Sequence, residues 1–241
     1  MKLNTLYRGD CLEIMKWIPD GSIDAIITDP PYWTTACKWD SVIPFEPMWA
    51  ELKRIIKPNG AVVLFGSEPF SSALRMSNIK MYKYDWVWDK KMPVGFLNAK
   101  KLPLRRHENI IVFGSGLICY NPQMRKGKMR NKTPKRKADE YENRVYQKVI
   151  HRWDNFNDSY YPTSILEVTN ANQKQKQHPT QKPVALLEYL IKTYTNEWET
   201  VLDFTAGSWT TWVACKNTNR NYILIEKDEW YCNIIRKRLT T

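Results

Sequence analysis

Short apolar segments alternate with amphipathic segments over the first 115 residues, and the alternation resumes from Pro183 to the end of the chain. The apolar runs at 24–28, 61–65 and 222–226 have the length of buried strands, and 184–194 has the periodicity of a helix that faces a core. Strands that alternate with helices form βαβ units, which build a parallel sheet covered by helices on both faces. This alternation therefore predicts an α/β fold with a doubly wound parallel sheet.

Local start and stop signals place the individual elements of that sheet. A helix over 46–56 is ended by Lys57-Pro58-Asn59-Gly60, and Asp228 begins a last helix that runs to about Leu239. The other predicted elements are strands at 6–7, 84–88, 110–113 and 200–203 and helices at 11–18, at 69–76 and up to Cys215.

The chain carries a formal net charge of +12, and part of that charge is concentrated in one segment. Eight basic residues and no acidic one occur within thirteen positions. They are Arg125, Lys126, Lys128, Arg130, Lys132, Lys135, Arg136 and Lys137. A solvated surface tolerates such a run, but its density in an already basic chain favours contact with the phosphates of a nucleic acid. Residues 117–177 have little periodicity, so we expect a basic, loop-rich insertion there.

The composition excludes several other classes of protein. Hydrophobic residues make up 43% of the chain, which is enough for a core, but no apolar run approaches the roughly 20 residues of a membrane helix. The first residues, MKLNTLYRGD, lack the pattern of a secretory signal. The five cysteines include no CxxC pair and the three histidines lie far apart, so neither a disulfide scaffold nor a metal site is expected. We therefore predict a cytoplasmic protein without a membrane or metal partner.

A strand, a turn of small residues and the start of a helix follow one another from Val201 onward. The amide groups of a helix N-terminus can bind a ligand, and small residues let that ligand approach the backbone. About 20 residues later Glu226 ends the next strand, where an acid can bind the hydroxyls of a ribose. We interpret this unit as a nucleotide site, although an ordinary strand-to-helix turn has the same local pattern. The candidate residues are Asp203, Phe204, Gly207, Ser208, Thr210 and Glu226.

Another strand ends in Thr28-Asp29-Pro30-Pro31-Tyr32. The two prolines restrict the backbone and remove two N–H donors, so the carboxylate of Asp29 and the carbonyl of Pro30 are both acceptors. A planar amino group has two hydrogens and needs two acceptors, and Tyr32 offers a flat face for stacking. We therefore expect this segment to hold the exocyclic amino group of a nucleobase that has left its stack, rather than to be a plain proline-rich turn.

Together, the segment Asp29-Pro30-Pro31-Tyr32 and the turn from Asp203 to Ser208 resemble the motifs of the amino-group DNA methyltransferases, which use S-adenosyl-L-methionine (SAM). The resemblance covers essentially the whole chain and has the beta order of motifs, with DPPY first and the cofactor turn last. It implies a Rossmann-like methyltransferase sheet. Residues 1–116 would form the catalytic half, 117–177 the target-recognition insertion and 178–241 the SAM-binding half of the same domain.

The resemblance assigns further residues to the cofactor site. The segment that begins at His178 is similar to one that helps to hold the cofactor in this family, which implies contacts by His178, Thr180 and Lys182. Asp10 resembles an acid that approaches the adenine ring of the cofactor.

The reaction that the resemblance implies is in-line transfer of the sulfonium methyl group to the amino nitrogen of a base flipped out of double-stranded DNA. Asp29 and Pro30 would hold the two amino hydrogens, and Pro31 and Tyr32 complete the motif. DPPY is typical of adenine-N6 enzymes and SPPY is commoner in cytosine-N4 enzymes, so adenine N6 is the expected target and cytosine N4 an alternative. An RNA or a protein substrate is a further alternative. Relatives of this type often dimerise, so the resemblance makes a homodimer possible. It also makes a cognate restriction enzyme a possible partner.

The chain has 9 glycines and 11 tryptophans, and several tryptophans stand where this family carries small residues. Trp209 and Trp212 follow the cofactor turn, Trp33 follows the DPPY motif, and Trp198 lies in a predicted loop. One explanation is divergence to a catalytically impaired chain that acts as a DNA-binding protein. The other is that TGA codons for glycine were translated as tryptophan, which predicts TGA at these four positions.

Overall fold

The structure, a computed structural model, describes residues 1–32, 41–132, 141–143, 147–149, 155–170, 181–207 and 210–233. The chain divides into two compact units, of which the first comprises Met1–Asn121 and Thr163–Thr241 and the second Pro122–Pro162. The strands are β1 Thr5–Arg8, β2 Ile23–Thr28, β3 Ile56–Gly66, β4 Tyr82–Val94, β5 Arg105–Phe113, β6 Arg125–Lys132, β7 Tyr141–Asn143, β8 Gln147–Val149, β9 Asn155–Tyr160, β10 Ile165–Glu167, β11 Thr200–Asp203 and β12 Asn221–Glu226. The helices are α1 Cys11–Met15, α2 Phe45–Ile55, α3 Phe70–Ser77, α4 Val184–Tyr194 and α5 Thr210–Asn217. None of these helices is long and apolar enough to cross a bilayer.

The first unit is built on one sheet with the strand order β1-β12-β11-β2-β3-β5-β4-β10. Among the described strands, β5 alone runs against the rest, because it pairs antiparallel with both β3 and β4 while the other neighbours are parallel. The predicted α/β Rossmann-like fold is confirmed. The predicted parallel sheet has one antiparallel strand, β5, because β4 and β5 are consecutive strands joined by residues 95–104, which are too few for a crossover helix.

The order of strands reverses between β11 and β2. The chain leaves β11 through α5 to reach β12 on one side, and it leaves β2 through α2 to reach β3 on the other. The carboxyl ends of the two strands at such a switch point border a crevice where α/β proteins bind ligands. Asp203 ends β11 and Asp29 directly follows β2, so both predicted motifs lie at this crevice.

The N-terminal strand lies at the edge of the sheet beside a strand from the C-terminal part of the chain. β1 pairs in parallel with β12, with Thr5 opposite Ile223 and Arg8 opposite Glu226. The N-terminal strand therefore continues a sheet whose neighbouring strands come from the C-terminal part of the chain, as a permuted order of motifs requires.

Successive residues of the central strands face opposite sides of the sheet and fill two separate cores. Ile26 and Leu202 belong to the core covered by α1, α2 and α3, whereas their neighbours Ile27 and Val201 belong to the core covered by α4 and α5. All four side chains are fully buried. Burial on both faces explains why 25–27 and 61–65 are continuously apolar rather than alternating.

Two predicted boundaries differ from the structure. α1 ends at Met15 rather than at residue 18, because the backbone N–H groups of Trp17 and Ile18 donate three residues back rather than four and a proline follows. The guanidinium of Arg54 donates to the carbonyls of Met15 and Ile18, at 2.8 and 2.7 Å. β3 begins at Ile56, directly after α2, and the predicted stop signal forms an irregularity in the strand before Ala61. The other boundaries agree within a few residues, apart from the longer hairpin strands β4 and β5.

The predicted start of the last helix is confirmed. The carboxylate of Asp228 accepts the backbone N–H of Trp230 at 2.8 Å, as an N-cap does, and 229–233 are helical. The remainder of that predicted helix lies outside the described residues.

The second unit contains two antiparallel pairs of strands, β6 with β9 and β7 with β8. The basic run was expected in a loop, but its first part, from Arg125 to Lys132, is β6. The side chains of Arg125, Lys126 and Lys128 are exposed. For Arg130 and Lys132 the backbone alone is described, and Lys135, Arg136 and Lys137 lie outside the described residues.

Candidate active site

A cavity of about 890 Å³ opens at the carboxyl edge of the sheet, around the switch point between β11 and β2. Every predicted catalytic or cofactor residue that the structure describes lines it. These residues are Asp10, Asp29, Pro30, Pro31, Tyr32, Lys182, Asp203, Phe204, Gly207, Thr210 and Glu226. His178, Thr180 and Ser208 lie outside the described residues. The fold thus brings residues from the two ends of the chain around one space.

Hydrogen bonds tie the two motifs together. The hydroxyl of Thr205, in the turn after β11, donates to the backbone carbonyl of Asp29 at 3.1 Å. The hydroxyl of Thr28 lies 2.6 Å from that of Thr205 and donates to a carboxylate oxygen of Asp203, also at 2.6 Å. The position of Asp29 relative to the cofactor turn is therefore set by direct contacts between the ends of β2 and β11.

The carboxylate of Asp29 is bound at both oxygens. Its Oδ1 accepts the hydroxyl of Tyr32, and its Oδ2 accepts the ammonium of Lys182 at 2.5 Å. Burial raises the pKa of Asp29, and the charge of Lys182 opposes that shift. The resemblance assigns Lys182 to the cofactor, but in this structure its ammonium lies on the carboxylate of the DPPY motif.

Lys182 belongs to a chain of four buried or nearly buried charges. Its Nζ lies 3.2 Å from Oε2 of Glu108, whose other oxygen accepts the ammonium of Lys90. Although burial lowers the pKa of Lys182, the charges of Asp29 and Glu108 together raise it. Burial acts to raise the pKa of Glu108, but the charges of Lys182 and Lys90 hold it below its ordinary value. The two carboxylates and two ammonium groups give the cluster no net charge. A cluster removed from water needs such pairing, because an unpaired buried charge is costly.

Sequence reasoning missed Glu108 and Lys90. The available signal was a charged residue inside each of two apolar strand patterns, close to Trp88 and Ile110. The two residues lie on neighbouring strands, β4 and β5, and both line the cavity. A charge in a strand of a buried sheet is unusual unless it is paired, so it indicates a partner in the tertiary structure.

Aromatic rings surround the acidic end of this cluster. The ring of Tyr32 stacks on Phe70 with centroids 5.1 Å apart and an interplanar angle of 29°. The ammonium of Lys182 lies 5.1 Å from the ring centroid of Phe65 and 5.9 Å from that of Trp88. Flat apolar walls beside a carboxylate acceptor suit a planar heterocycle that carries an amino group.

Glu226 organises the other end of the cavity. Its carboxylate accepts the backbone N–H of Gly207 through one oxygen and that of Asp228 through the other, each at 2.7 Å. Gly207 has φ +45, which a glycine adopts without strain. Burial raises the pKa of Glu226. Each carboxylate oxygen has a second lone pair, so Glu226 can still accept hydroxyl donors from a ligand.

Both carboxylate oxygens of Asp203 accept hydrogen bonds from other groups of the protein. One carboxylate oxygen accepts the hydroxyl of Thr28 and the backbone N–H of Thr205, and the other accepts the hydroxyl of Thr211 at 2.5 Å. Burial raises the pKa of Asp203 to about 6. These contacts show that Asp203 shapes the turn between β11 and α5.

Two of the unexpected tryptophans are described. Trp198 has φ +69, in the left-handed region that favours glycine, and its indole is exposed. Trp212 lies in α5 and is partly buried, with the ammonium of Lys216 5.3 Å from its ring centroid. The backbone of Trp198 therefore has the conformation expected at a glycine position, whereas that of Trp212 is helical. Trp33 and Trp209 lie outside the described residues.

Comparisons with known proteins agree with this geometry. A family model described as DNA methylase, for the N6 and N4 enzymes, matches residues 23–237. Among curated proteins, the chain is 29% identical to Type II methyltransferase M.HinfI from Haemophilus influenzae, covering 98% of this chain and 68% of that protein. It is 28% identical to Type II methyltransferase M.HpaI from Haemophilus parainfluenzae, covering 97% of this chain and 73% of that one.

Solved structures show the same fold. The crystal structure of the M1.HpyAVI–SAM complex matches with a TM-score of 0.63 and 26% identity, covering 97% of this chain and 98% of that one. The PvuII DNA methyltransferase, described as cytosine-N4-specific, matches with a TM-score of 0.65 over 96% of this chain and 84% of that one. At 17% identity the second match concerns the fold alone.

Proposed function

Because this chain belongs to the N6/N4 DNA methylase family, we propose that it is a site-specific methyltransferase that transfers a methyl group from SAM to the N6 amino group of adenine in duplex DNA. The observation that carries the proposal is the placement of the Asp29 carboxylate among aromatic rings, in the same cavity as the Glu226 end of the cofactor turn.

The Glu226 end of the cavity suits SAM, which carries ribose hydroxyls and a positive sulfonium. Asp10, Glu226 and Asp228 line this end and supply acceptors and negative charge. Phe204 and Gly207 follow β11 in the turn that Asp203 shapes, and we assign them to contacts with the same ligand. When bound, SAM supplies an electrophilic methyl group.

The residues at the Asp29 end act on the amino nitrogen. The carboxylate of Asp29 accepts one amino hydrogen and the carbonyl of Pro30 the other, which favours a pyramidal nitrogen with its lone pair available. Tyr32 stacks on the base and keeps it in place. The amino proton becomes acidic once the nitrogen is alkylated, so Asp29 can accept it without being a strong base.

We propose adenine rather than cytosine as the target base because of the identity of one residue. An aspartate precedes Pro30-Pro31-Tyr32, which is typical of adenine-N6 enzymes, and the fold shared with a cytosine-N4 enzyme does not bear on the base. The relatives named as Type II methyltransferases support a role in restriction and modification, with a cognate restriction enzyme as partner. The exposed basic residues of β6 are proposed to contact DNA phosphates, and the second unit to belong to the target-recognition segment.

The test is a transfer assay with labelled SAM and unmethylated genomic DNA, followed by mass spectrometry of the nucleosides. We expect N6-methyladenine with the parent chain and none with Asp29→Ala. N4-methylcytosine would instead assign the enzyme to the other base. SAM binding is measured by calorimetry in parallel, and retained duplex binding without a cofactor signal would support the alternative of a catalytically impaired DNA-binding protein.

A further inference from the structure

We propose that the hairpin of residues 91–106, here called the tip hairpin, inserts apolar side chains into duplex DNA beside the target base and grips the flanking phosphates. The inference rests on the proposed function and adds to it a contact surface in the first unit.

The tip hairpin lies next to the reaction site. β4 runs in the same direction as β2 and β11, so its end at Val94 lies at the carboxyl edge of the sheet, where Asp29 is. Val94 pairs with Arg105 across the hairpin, and both residues line the cavity. The connecting residues 95–104 therefore begin and end at the rim of the proposed base site.

Large apolar side chains of the hairpin are exposed to solvent. Leu97 is 101% exposed and Phe96 67%, and Met92 and Leu102 are each more than half exposed. The adjacent side chains of Phe96 and Leu97, at the tip of a structured turn, do not pack into the core of the first unit. Exposed apolar side chains that lie together mark an interaction site. Proteins that distort DNA use apolar wedges of this kind, phenylalanine and leucine among them, between neighbouring base pairs.

The turn that presents these side chains is internally hydrogen-bonded. Gly95 has φ +92, which allows the chain to reverse into a short 3-10 helix over Phe96–Asn98. The carbonyl of Asn98 then accepts the backbone N–H of Lys101 at 2.8 Å. Phe96 and Leu97 are thus held on an ordered turn, which lowers the entropic cost of inserting them.

The charges of the hairpin favour a polyanion. Residues 90–107 contain six lysines and arginines and no acid. Lys91 and Arg106 are paired with Glu167 and Asp89 respectively. Within the described ranges, no carboxylate lies within 4.0 Å of the ammonium groups of Lys100 and Lys101 at the tip. The guanidinium of Arg105, at the base of the hairpin, likewise has no carboxylate partner among those residues and donates to the hydroxyl of Ser67 at 2.8 Å.

This combination has a specific use in a reaction on a nucleobase. A base must leave the duplex before an enclosed carboxylate such as that of Asp29 can reach its amino group, and that step costs stacking and pairing energy. An apolar wedge stabilises the opened step, while cations beside it hold the phosphates on either side. Duplex DNA is therefore the occupant to which the tip hairpin is suited.

The first experiment tests the charges and does not need an active enzyme. Lys100→Ala/Lys101→Ala is compared with the parent by fluorescence anisotropy on a mixed-sequence duplex over a range of salt concentrations. If both lysines bind phosphates, the slope of log K against log salt becomes shallower by about 1.8, at roughly 0.9 for each phosphate that is no longer neutralised. Lys80→Ala/Lys83→Ala is the matched control, since both are exposed and lie at the opposite end of β4.

The second experiment tests the apolar side chains. Phe96→Ser/Leu97→Ser is expected to lower duplex affinity at least threefold with an unchanged salt slope, and to lower methyl transfer to duplex DNA at least tenfold. Transfer to heat-denatured DNA should fall less than transfer to the duplex, because no base pair has to be opened. The matched control is Met76→Ser/Ile79→Ser, which changes two exposed apolar residues away from the cavity. All variants should bind SAM as the parent does.

The outcomes separate this proposal from the proposed function. Parental duplex affinity and salt slope in both tip variants would overturn the proposal, whether or not the enzyme is active. It would also be overturned if the tip variants no longer bound phosphatidylglycerol vesicles while keeping parental duplex binding, since the hairpin would then be a lipid contact. A parent that methylates no DNA, with weaker duplex binding in the tip variants, would contradict the proposed function and leave the hairpin contact standing.

Discussion

The ammonium of Lys182 lies 2.5 Å from Oδ2 of Asp29, although 153 residues separate the two in the chain. Lys182 directly precedes Pro183 and α4, and Asp29 follows β2, so the contact joins the C-terminal part of the chain to the DPPY motif. Because Glu108 and Lys90 extend the contact, the orientation of the Asp29 carboxylate depends on three other buried charges.

Replacement of Lys182 by Met should slow catalysis and shift its pH dependence. Asp29 must be ionised to accept the amino hydrogen, and Lys182 opposes the rise in its pKa that burial causes. Without that ammonium the pKa rises further, so the acid limb of the pH profile of kcat moves to higher pH. We expect kcat to fall on the order of 100-fold through misplacement of the carboxylate, with little change in the KM for SAM.

Two further variants separate positioning from stability. Lys192→Met removes an exposed lysine from α4 and should leave the pH profile unchanged. Lys182→Met leaves the cluster with one excess negative charge, so Lys182→Met/Glu108→Gln should recover thermal stability. It should move the acid limb only part of the way back, because the charge of Glu108 raises the pKa of Asp29 less than the charge of Lys182 lowers it. An acid limb at the parental pH in Lys182→Met would contradict the role assigned to this lysine.

Asp203 should make stability fall as the pH rises through the acidic range. Its pKa is raised to about 6 in the folded state from an ordinary 3.8, so the folded protein holds this proton more tightly than the unfolded chain. The contribution of Asp203 to the free energy of unfolding is therefore largest below the unfolded pKa and declines as the pH rises through about 6, by about 3 kcal/mol for a shift of about two units.

The measurement is the free energy of unfolding in urea between pH 4 and 7, for the parent and for Asp203→Asn. The difference in the free energy of unfolding between the parent and this variant should change across this range and become constant above about pH 6. Glu197→Gln, which removes an exposed carboxylate, is the matched control for the loss of a negative charge. A constant difference for Asp203→Asn would mean that the carboxyl titrates normally in the folded protein.

Replacement of Glu226 by Gln should weaken SAM binding more than it slows transfer. The carboxylate accepts the N–H groups of Gly207 and Asp228 and keeps lone pairs for ribose hydroxyls. A hydrogen bond to a charged group contributes about 1.5–3 kcal/mol, so we expect the Kd from calorimetry to rise by about 10- to 100-fold. Glu13→Gln, on the exposed side of α1, is the control. A Kd equal to that of the parent would remove Glu226 from the SAM site.

Trp198→Gly should stabilise the protein. A residue with a side chain at φ +69 is strained by about 1 kcal/mol relative to glycine, and the exposed indole contributes little packing in return. We therefore expect the free energy of unfolding to rise by about 1 kcal/mol in a urea titration. Trp17→Gly removes another exposed tryptophan where φ is not positive, and it should bring no gain.

The coding DNA gives an independent test of the same position. TGA at codons 33, 198, 209 and 212 would identify these residues as glycines of the natural protein, and TGG at all four would establish divergence. Trp86 and Trp88 are buried in the core and should be encoded by TGG in either case.

Local features of the chain were sufficient for the α/β class, for most element boundaries and for the candidate motifs. The apolar runs 24–28, 61–65 and 222–226 indicate buried strands because strands covered on both faces have no polar side. The DPPY segment and the turn after β11 could be recognised because proline and small residues constrain the backbone within a few positions.

The tertiary structure decided which side chains meet. The pairing of Lys182 with Asp29, the use of Asp203 within its own turn and the reversed direction of β5 depend on neighbours that are distant in sequence. A local pattern contains no information on such neighbours, because any strand can lie beside any other until the whole sheet is assembled. Strand order places the carboxyl ends of β2 and β11, the hairpin of β4 and β5 and the start of α4 around one cavity, and that arrangement turns separate motifs into a site.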